Sequence, residues 1–454
     1  MKPAPKRHLR RLAAAALLPA LLAACGGGYD DDVVYYPDTC SVSDQKAWLG
    51  AYMNDWYFWY KISPHPDASV YSSVDAYFNA LLYTGTDVNF PADRWSYTQS
   101  TEAFNRFYGD GQTLGYGVSV AGVEVAGQPD QPLYVRYVEP LSSAATQGVV
   151  RGDQVVSING VPSATIIGSD DYSALTPSSS GQQLTLVLRN AGGDRTVTLT
   201  ASIFSLSPVS TGTVVTSPLG RKMGYVVVKD MISQALAPLE TAFAQFKAAG
   251  VADVVLDLRY NGGGLVSVGS TVASYVAGSR GSGHAYATLL FNDKRASAYN
   301  QSYLFGNLVS AAGVSRVFVL TGPRTCSASE QVINGLRGIG VEVVAIGDTT
   351  CGKPVGFTPA SACGTTYSAV NFESVNDINQ GRYFDGFAPT CAVAEDFAKP
   401  LGTPTEPLLG AARGYADQGS CPLSTPSARA MSAQRRAAAV RSSEPDGPRG
   451  MIAR

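Results

Sequence analysis

The order of apolar and polar positions divides the chain into three blocks. After Cys40, Ser41 and Asp44 stand where a helix N-cap and first turn would lie, and aromatics crowd in at Tyr52, Trp56, Tyr57, Phe58, Trp59 and Tyr60. Turn-rich breaks at Ser63–Pro66 and Phe90–Asp93 flank a second helical segment, Ser73–Tyr83, so residues 40–112 read as a small helical domain whose aromatic stripe is packing rather than a ligand platform. Residues 113–204 switch to short β-rich runs between Gly and Asp turns, among them Leu133–Val138 and the run Arg151–Gly160, with a helical stretch at Ser142–Gly148. From Ser205 the pattern becomes α/β. Strand Lys222–Val228, helix Leu236–Ala249, strand Val251–Leu258 and helix Ser267–Val276 are followed by strand Val317–Leu320, helix Ser329–Arg337 and strand Val341–Ile346.

The two ends depart from this body. Residues 1–25 carry Lys2, Lys6, Arg7, Arg10 and Arg11, then the apolar run Leu12–Ala24, a secretory signal too short to span a bilayer comfortably. Leu22-Ala23-Ala24 before Cys25 resembles a bacterial lipobox, which makes Cys25 the expected lipidated residue, residues 26–39 a flexible tether and the outer membrane the expected destination. The tail, residues 416–454, is rich in Ala, Ser, Arg and Pro and is expected to be disordered. Removing the five basic leader residues and the net +4 of the stretch from Pro422 from the chain's −2 leaves the body at about −11, which argues against nucleic acid as partner.

Export puts Cys40, Cys326, Cys351, Cys363, Cys391 and Cys421 in an oxidising compartment, where an even number favours disulfides. Sequence does not choose among the pairings, but a Cys326–Cys351 bridge would tie two chemically suggestive loops together. There is no Cys-x-x-Cys pair and only His65 and His284 lie beyond the leader, so no metal or organic cofactor is implied.

The chemistry concentrates in Thr325-Cys326-Ser327-Ala328-Ser329-Glu330 and Gly352-Lys353. A serine needs a base to take its proton, and a lysine serves if burial leaves it neutral. Upstream, Asp257-Leu258-Arg259-Tyr260-Asn261-Gly262-Gly263-Gly264 leaves a buried strand as a glycine loop. Ser329 reads as the cap of the following helix, with Glu330 favouring its positive end. Asp257 and Arg259 read as structural, and His284 lacks a carboxylate that the sequence would place beside it.

The run Pro140–Ala144 followed by Arg151-Gly152-Asp153 to Asn159-Gly160 resembles the signature of a PDZ domain, so residues 113–204 are expected to capture a peptide terminus by strand addition, with Leu114, Gly115, Tyr116 and Gly117 as its carboxylate loop. With the glycine loop, Ser-Ala-Ser-Glu and Gly-Lys in order behind it, residues 40–412 resemble the S41 serine peptidases, the C-terminal processing or tail-specific proteases. The resemblance implies a crotonase-like or ClpP-like α/β catalytic core over residues 205–415, Ser327 as nucleophile, Lys353 as general base, and an oxyanion hole from the backbone N–H groups of Ala328 and Gly263. Two departures stand out. The Ser327–Lys353 interval is one residue longer than usual, and Phe357 occupies the place of a glutamine that normally orients the lysine; Glu373 and Gln380 are the candidate substitutes. The expected function is a lipid-anchored, periplasm-facing endopeptidase acting on proteins or peptides. The competing expectation is an inactive relative that binds peptides or another ligand.

Overall fold

The computed structural model describes residues 36–422 and 450–453. Cys25, the leader and residues 26–35 of the expected tether lie outside the described residues. Helix Val42–Trp56 starts at Ser41, whose Oγ accepts from the Asp44 N–H, and helix Val74–Leu81 starts at Ser73 in the same way. The aromatic stripe is core: Trp48, Tyr57, Trp59, Trp95 and Tyr367 are buried in one cluster, with Trp48 on Tyr367 and Trp59 on Trp95.

The β-rich module is a six-stranded antiparallel sheet in the order Val118–Val120, Leu133–Val138, Gln154–Ile158, Gln183–Asn190, Gly193–Thr200, with the short strand Val161–Pro162 also paired to Gln154–Ile158, and it has its own core. Its outer strand Val118–Val120 is buried at all three positions. The module is pinned to the α/β body by charge. Lys229 Nζ meets Glu139 at 2.9 Å, Arg151 meets Glu395 at 2.8 Å, and Arg136 and Arg151 both lie over the Tyr260 ring.

The α/β body carries two six-stranded sheets. The first runs Thr213–Thr216, Lys222–Val227, Asp253–Asp257, Arg316–Thr321, Glu342–Gly347, Cys391–Ala392, parallel except for its first strand. Its inner strands are buried over nearly their whole length, as apolar runs covered on both faces require. The second runs Gly263–Leu265, Gly450–Ile452, Val355–Phe357, Val370–Val375, Ala285–Phe291, Gln301–Leu304. Helices Val266–Ala277 and Ala328–Gly338 pack between the layers.

The tail boundary expected at residue 416 is corrected in two ways. Helix Pro407–Gln418 runs through it, and Cys421 beyond it is bridged to Cys391. Gly450–Ile452 then forms an inner strand of the second sheet, held on both sides. Composition averages over the whole segment and carries no signal for a pairing of three residues.

Candidate active site

The glycine loop and the Ser327 loop leave neighbouring parallel strands, Asp253–Asp257 and Arg316–Thr321, at the same end of the sheet. Asn261 fastens them together. Its backbone carbonyl accepts from the Cys326 N–H at 3.0 Å and from Ser329 Oγ at 2.9 Å, while its side chain donates to the Val228 carbonyl at 2.9 Å. Ser329 is therefore a loop tie, and the helix is capped at Ser327. Beneath the loop, Arg259 binds Asp257 at 2.8 Å and Glu406 at 2.8 and 3.1 Å, the structural role expected of the Asp-x-Arg pair.

Ser327 is fully buried and sits at φ 61°, ψ −114°, a conformation an L-residue adopts only when its surroundings enforce it. The strain turns the chain sharply from strand to helix and leaves the serine at the positive end of Ala328–Gly338. Ser327 Oγ has no hydrogen-bond partner among the described residues. Ala328 is the first helical residue, so its N–H has no intrahelical acceptor. Gly263 faces this turn: at φ 107° a side chain there would place its Cβ 3.0 Å from Ser327 Cβ and 3.1 Å from Ala328 N. The Gly263 N–H, expected as the second oxyanion donor, donates to Asn261 Oδ1 at 2.8 Å.

Glu330 joins the Ser327 loop to the Lys353 loop. Its buried carboxylate accepts from the backbone N–H groups of Ser327 (2.9 Å), Gly352 (2.8 Å) and Lys353 (2.8 Å), and from Thr350 Oγ1 at 2.5 Å. Burial pushes its pKa up against the donors that hold the charge. Disulfide Cys326–Cys351, with Cα atoms 5.2 Å apart, clamps the same two loops. Sequence reading saw Glu330 only as a helix-end charge; its offset from Ser327 is a capping-box spacing, but its link to Gly352-Lys353 is long-range and carries no local signal.

Lys353 is 2% exposed, and burial lowers its pKa to about 7 against the opposing attraction of Asp93 and Glu330. Its Nζ lies 4.3 Å from the centre of the Phe357 ring, so the residue in the expected glutamine's place forms an apolar wall against the amine. Neither candidate substitute is drawn to it. Glu373 is paired with Arg382 at 2.8 and 3.0 Å, and Gln380 closes a turn with Asn376 while its carbonyl accepts from Asn334. Both line a separate cavity of about 720 Å³. What fixes Lys353 is its backbone: the Glu330 bond, the disulfide, and Gly352 at φ 84°, where any side chain would collide with the Phe384 carbonyl at 2.2 Å. Phe387 supports this loop through paired bonds with Thr350. His284 does meet a carboxylate, Asp377 at 2.7 Å, but on an exposed edge.

In the β-rich module, Leu114 and Gly115 belong to a strand paired with Ser202–Ser205. Tyr116 is buried in the module's core, and the Tyr116 and Gly117 carbonyls accept from Ala144 and Glu139. Gly117, at φ 79°, has room for no side chain beside Ser142. Among the described residues the one cluster of metal-ligand composition is Cys326, Glu330 and Cys351, whose two sulfurs are bonded to each other.

Three family models match in the same order as the structural blocks: the Peptidase S41 N-terminal domain at residues 44–97, a PDZ domain at 109–189 and Peptidase family S41 at 222–392. The chain belongs to peptidase family S41. It is 26% identical over 216 residues to a carboxyl-terminal-processing protease of Picosynechococcus, covering 47% of this chain and 49% of that one. Over 251 residues it is 28% identical to the chloroplastic C-terminal processing peptidase of Tetradesmus obliquus, 52% of this chain and 51% of that one. The match thus spans about half the length of these curated relatives. A crystal structure of a protein assigned to the S41 proteases, from Bacteroides fragilis NCTC 9343, superposes with TM-score 0.64 at 25% identity over 85% of this chain and 98% of its own.

Proposed function

We propose that this peptidase is a serine endopeptidase that hydrolyses peptide bonds near substrate C-termini with Ser327 as nucleophile and Lys353 as base. The observation that carries the reading is a lysine buried to a pKa of about 7, tied through one carboxylate and one disulfide to a strained, unpartnered serine at a helix N-terminus. Neutral Lys353 takes the Ser327 Oγ proton as Oγ attacks the carbonyl carbon. The oxyanion is held by the Ala328 N–H and by the Gly263 N–H once it leaves Asn261 Oδ1. The C–N bond breaks as the ammonium returns its proton to the departing amine, and water then attacks the acyl-serine with Lys353 again as base.

The β-rich module is proposed to take the substrate terminus, with Leu114–Gly117 as its loop. The leader and Cys25 support a lipid-anchored protein facing the periplasm, and the three disulfides Cys40–Cys363, Cys326–Cys351 and Cys391–Cys421 support an oxidising compartment. The test is covalent labelling by a fluorophosphonate, located by peptide mapping. Label at Ser327, lost in Ser327→Ala and in Lys353→Met, is the expected result; a folded protein that takes no label at Ser327, with its slot opened as described next, returns the reading to a peptide-binding relative. Comparison of envelope proteomes with and without Ser327→Ala then names the substrates.

A further inference from the structure

The strand Gly450–Ile452 lies between the oxyanion glycine and the base. It pairs in parallel with Gly263–Leu265 on one side, Gly450 opposite Gly263, and in parallel with Val355–Phe357 on the other, Met451 opposite Gly356 and Ile452 opposite Phe357. The Gly450 N–H donates to the Gly262 carbonyl at 3.1 Å and the Ala453 N–H to the Phe357 carbonyl at 3.0 Å. Among the described residues these two strands are joined only through this third one, so without it each presents an open edge to a slot one strand wide. The fit is side-chain specific. Gly450 adopts φ 85°, and a Cβ there would lie 2.4 Å from the Phe357 ring and 2.6 Å from Lys353 Nζ. Met451 and Ile452 are fully buried, and Gly356 leaves Met451 its space.

We propose that residues 450–453 are an intramolecular, substrate-like occupant of the active-site slot, and that the slot takes other extended peptides in the same way. Such a peptide runs parallel to both flanking strands, with glycine against Lys353 and apolar side chains at the next two positions. This deepens the peptidase reading by naming a substrate class, and rests on it in taking Ser327 as the group the slot serves. While the segment is seated, the open edges that would bind a peptide in trans are filled, so the chain restrains its own activity. A tethered segment has an effective concentration of about 1 mM. If its trans Kd is about 100 μM, roughly a tenth of the molecules are open at any time.

Two measurements separate this proposal from the catalytic one. Binding of a fluorescent Arg-Gly-Met-Ile-Ala-Arg peptide to Ser327→Ala protein lacking residues 450–454 needs no chemistry; saturable binding is expected, and loss of it with Val in place of the peptide's Gly. In protein with an intact Ser327, deletion of 450–454, Gly450→Val, and Met451→Glu with Ile452→Glu should each speed fluorophosphonate labelling about tenfold over the full chain, and added peptide should slow it again. The substitutions keep the test valid if the deletion fails to fold. Absence of peptide binding, or unchanged labelling in folded variants that do label, overturns the proposal. Labelling of the full chain that accelerates on dilution places the segment in a second copy and overturns the intramolecular arrangement.

Discussion

Lys353→Met should make the protein more stable and inactive, by an amount that depends on pH in a defined direction. Burial holds the folded-state pKa near 7, whereas an unfolded lysine titrates near 10.4. Between these values the folded protein holds a neutral amine and the unfolded chain a charged one, so the unfolded state binds the extra proton and stability rises with pH. The penalty is therefore full below about pH 7 and fades toward pH 10.5. At 1.36 kcal/mol per pH unit it amounts to about 4–5 kcal/mol at its largest. Methionine fills much of the same volume without charge, so the variant should exceed wild type by about that amount at pH 7. The excess should shrink by about 2 kcal/mol between pH 7 and pH 9. Urea unfolding at pH 7, 8 and 9 with disulfides intact reads both numbers, and taking the difference between proteins cancels other titrations. A difference that does not change with pH, or a destabilised variant at pH 7, would refute a buried neutral lysine.

Other substitutions test the frame around the dyad. Ser327→Gly removes the strain at φ 61° and a buried hydroxyl without a partner among the described residues, so stability in a thermal melt should rise by about 1–2 kcal/mol while labelling disappears. Glu330→Ala strands three buried N–H groups at about 1–3 kcal/mol each, and should cost at least about 3 kcal/mol in urea as well as activity. Gly263→Val places side-chain atoms against Ser327 and Ala328 at a backbone angle that favours glycine, and a loss of roughly 10²–10³ in kcat is expected from steady-state peptide cleavage.

Much of the scaffold was legible because it is locally encoded. Helix Leu236–Ala249 and strand Leu133–Val138 match at both ends, and Ser41 caps where capping chemistry placed it. The loops of Ser327 and Lys353 are joined, through Glu330 and the Cys326–Cys351 disulfide, because each follows a buried strand or its turn, a position the α/β pattern reveals. The parts that stayed hidden depend on distant partners. Glu330 ties together residues more than twenty positions apart, and the Phe357 wall makes sense only once Lys353 is seen to need desolvation more than a polar neighbour. Neither Glu373 nor Gln380 takes the glutamine's place, and Lys353 is held by its backbone instead. Gly450–Ile452 was invisible because three pairing residues in an Arg-, Ser- and Ala-rich stretch have no periodicity of their own. Asp93, from the helical domain, adds a charge that favours protonated Lys353, so that domain is part of the site's electrostatics.

The central claim is that neutral Lys353 activates Ser327. Its most direct test is the second-order rate of fluorophosphonate labelling at Ser327 from pH 5 to pH 10, measured in the Gly450→Val protein so that the slot is open. The account requires a tenfold rise per pH unit up to about pH 7, a plateau above about pH 8, and no comparable labelling in Gly450→Val/Lys353→Met. A rate that keeps climbing through pH 10, or that survives loss of the lysine, would contradict it.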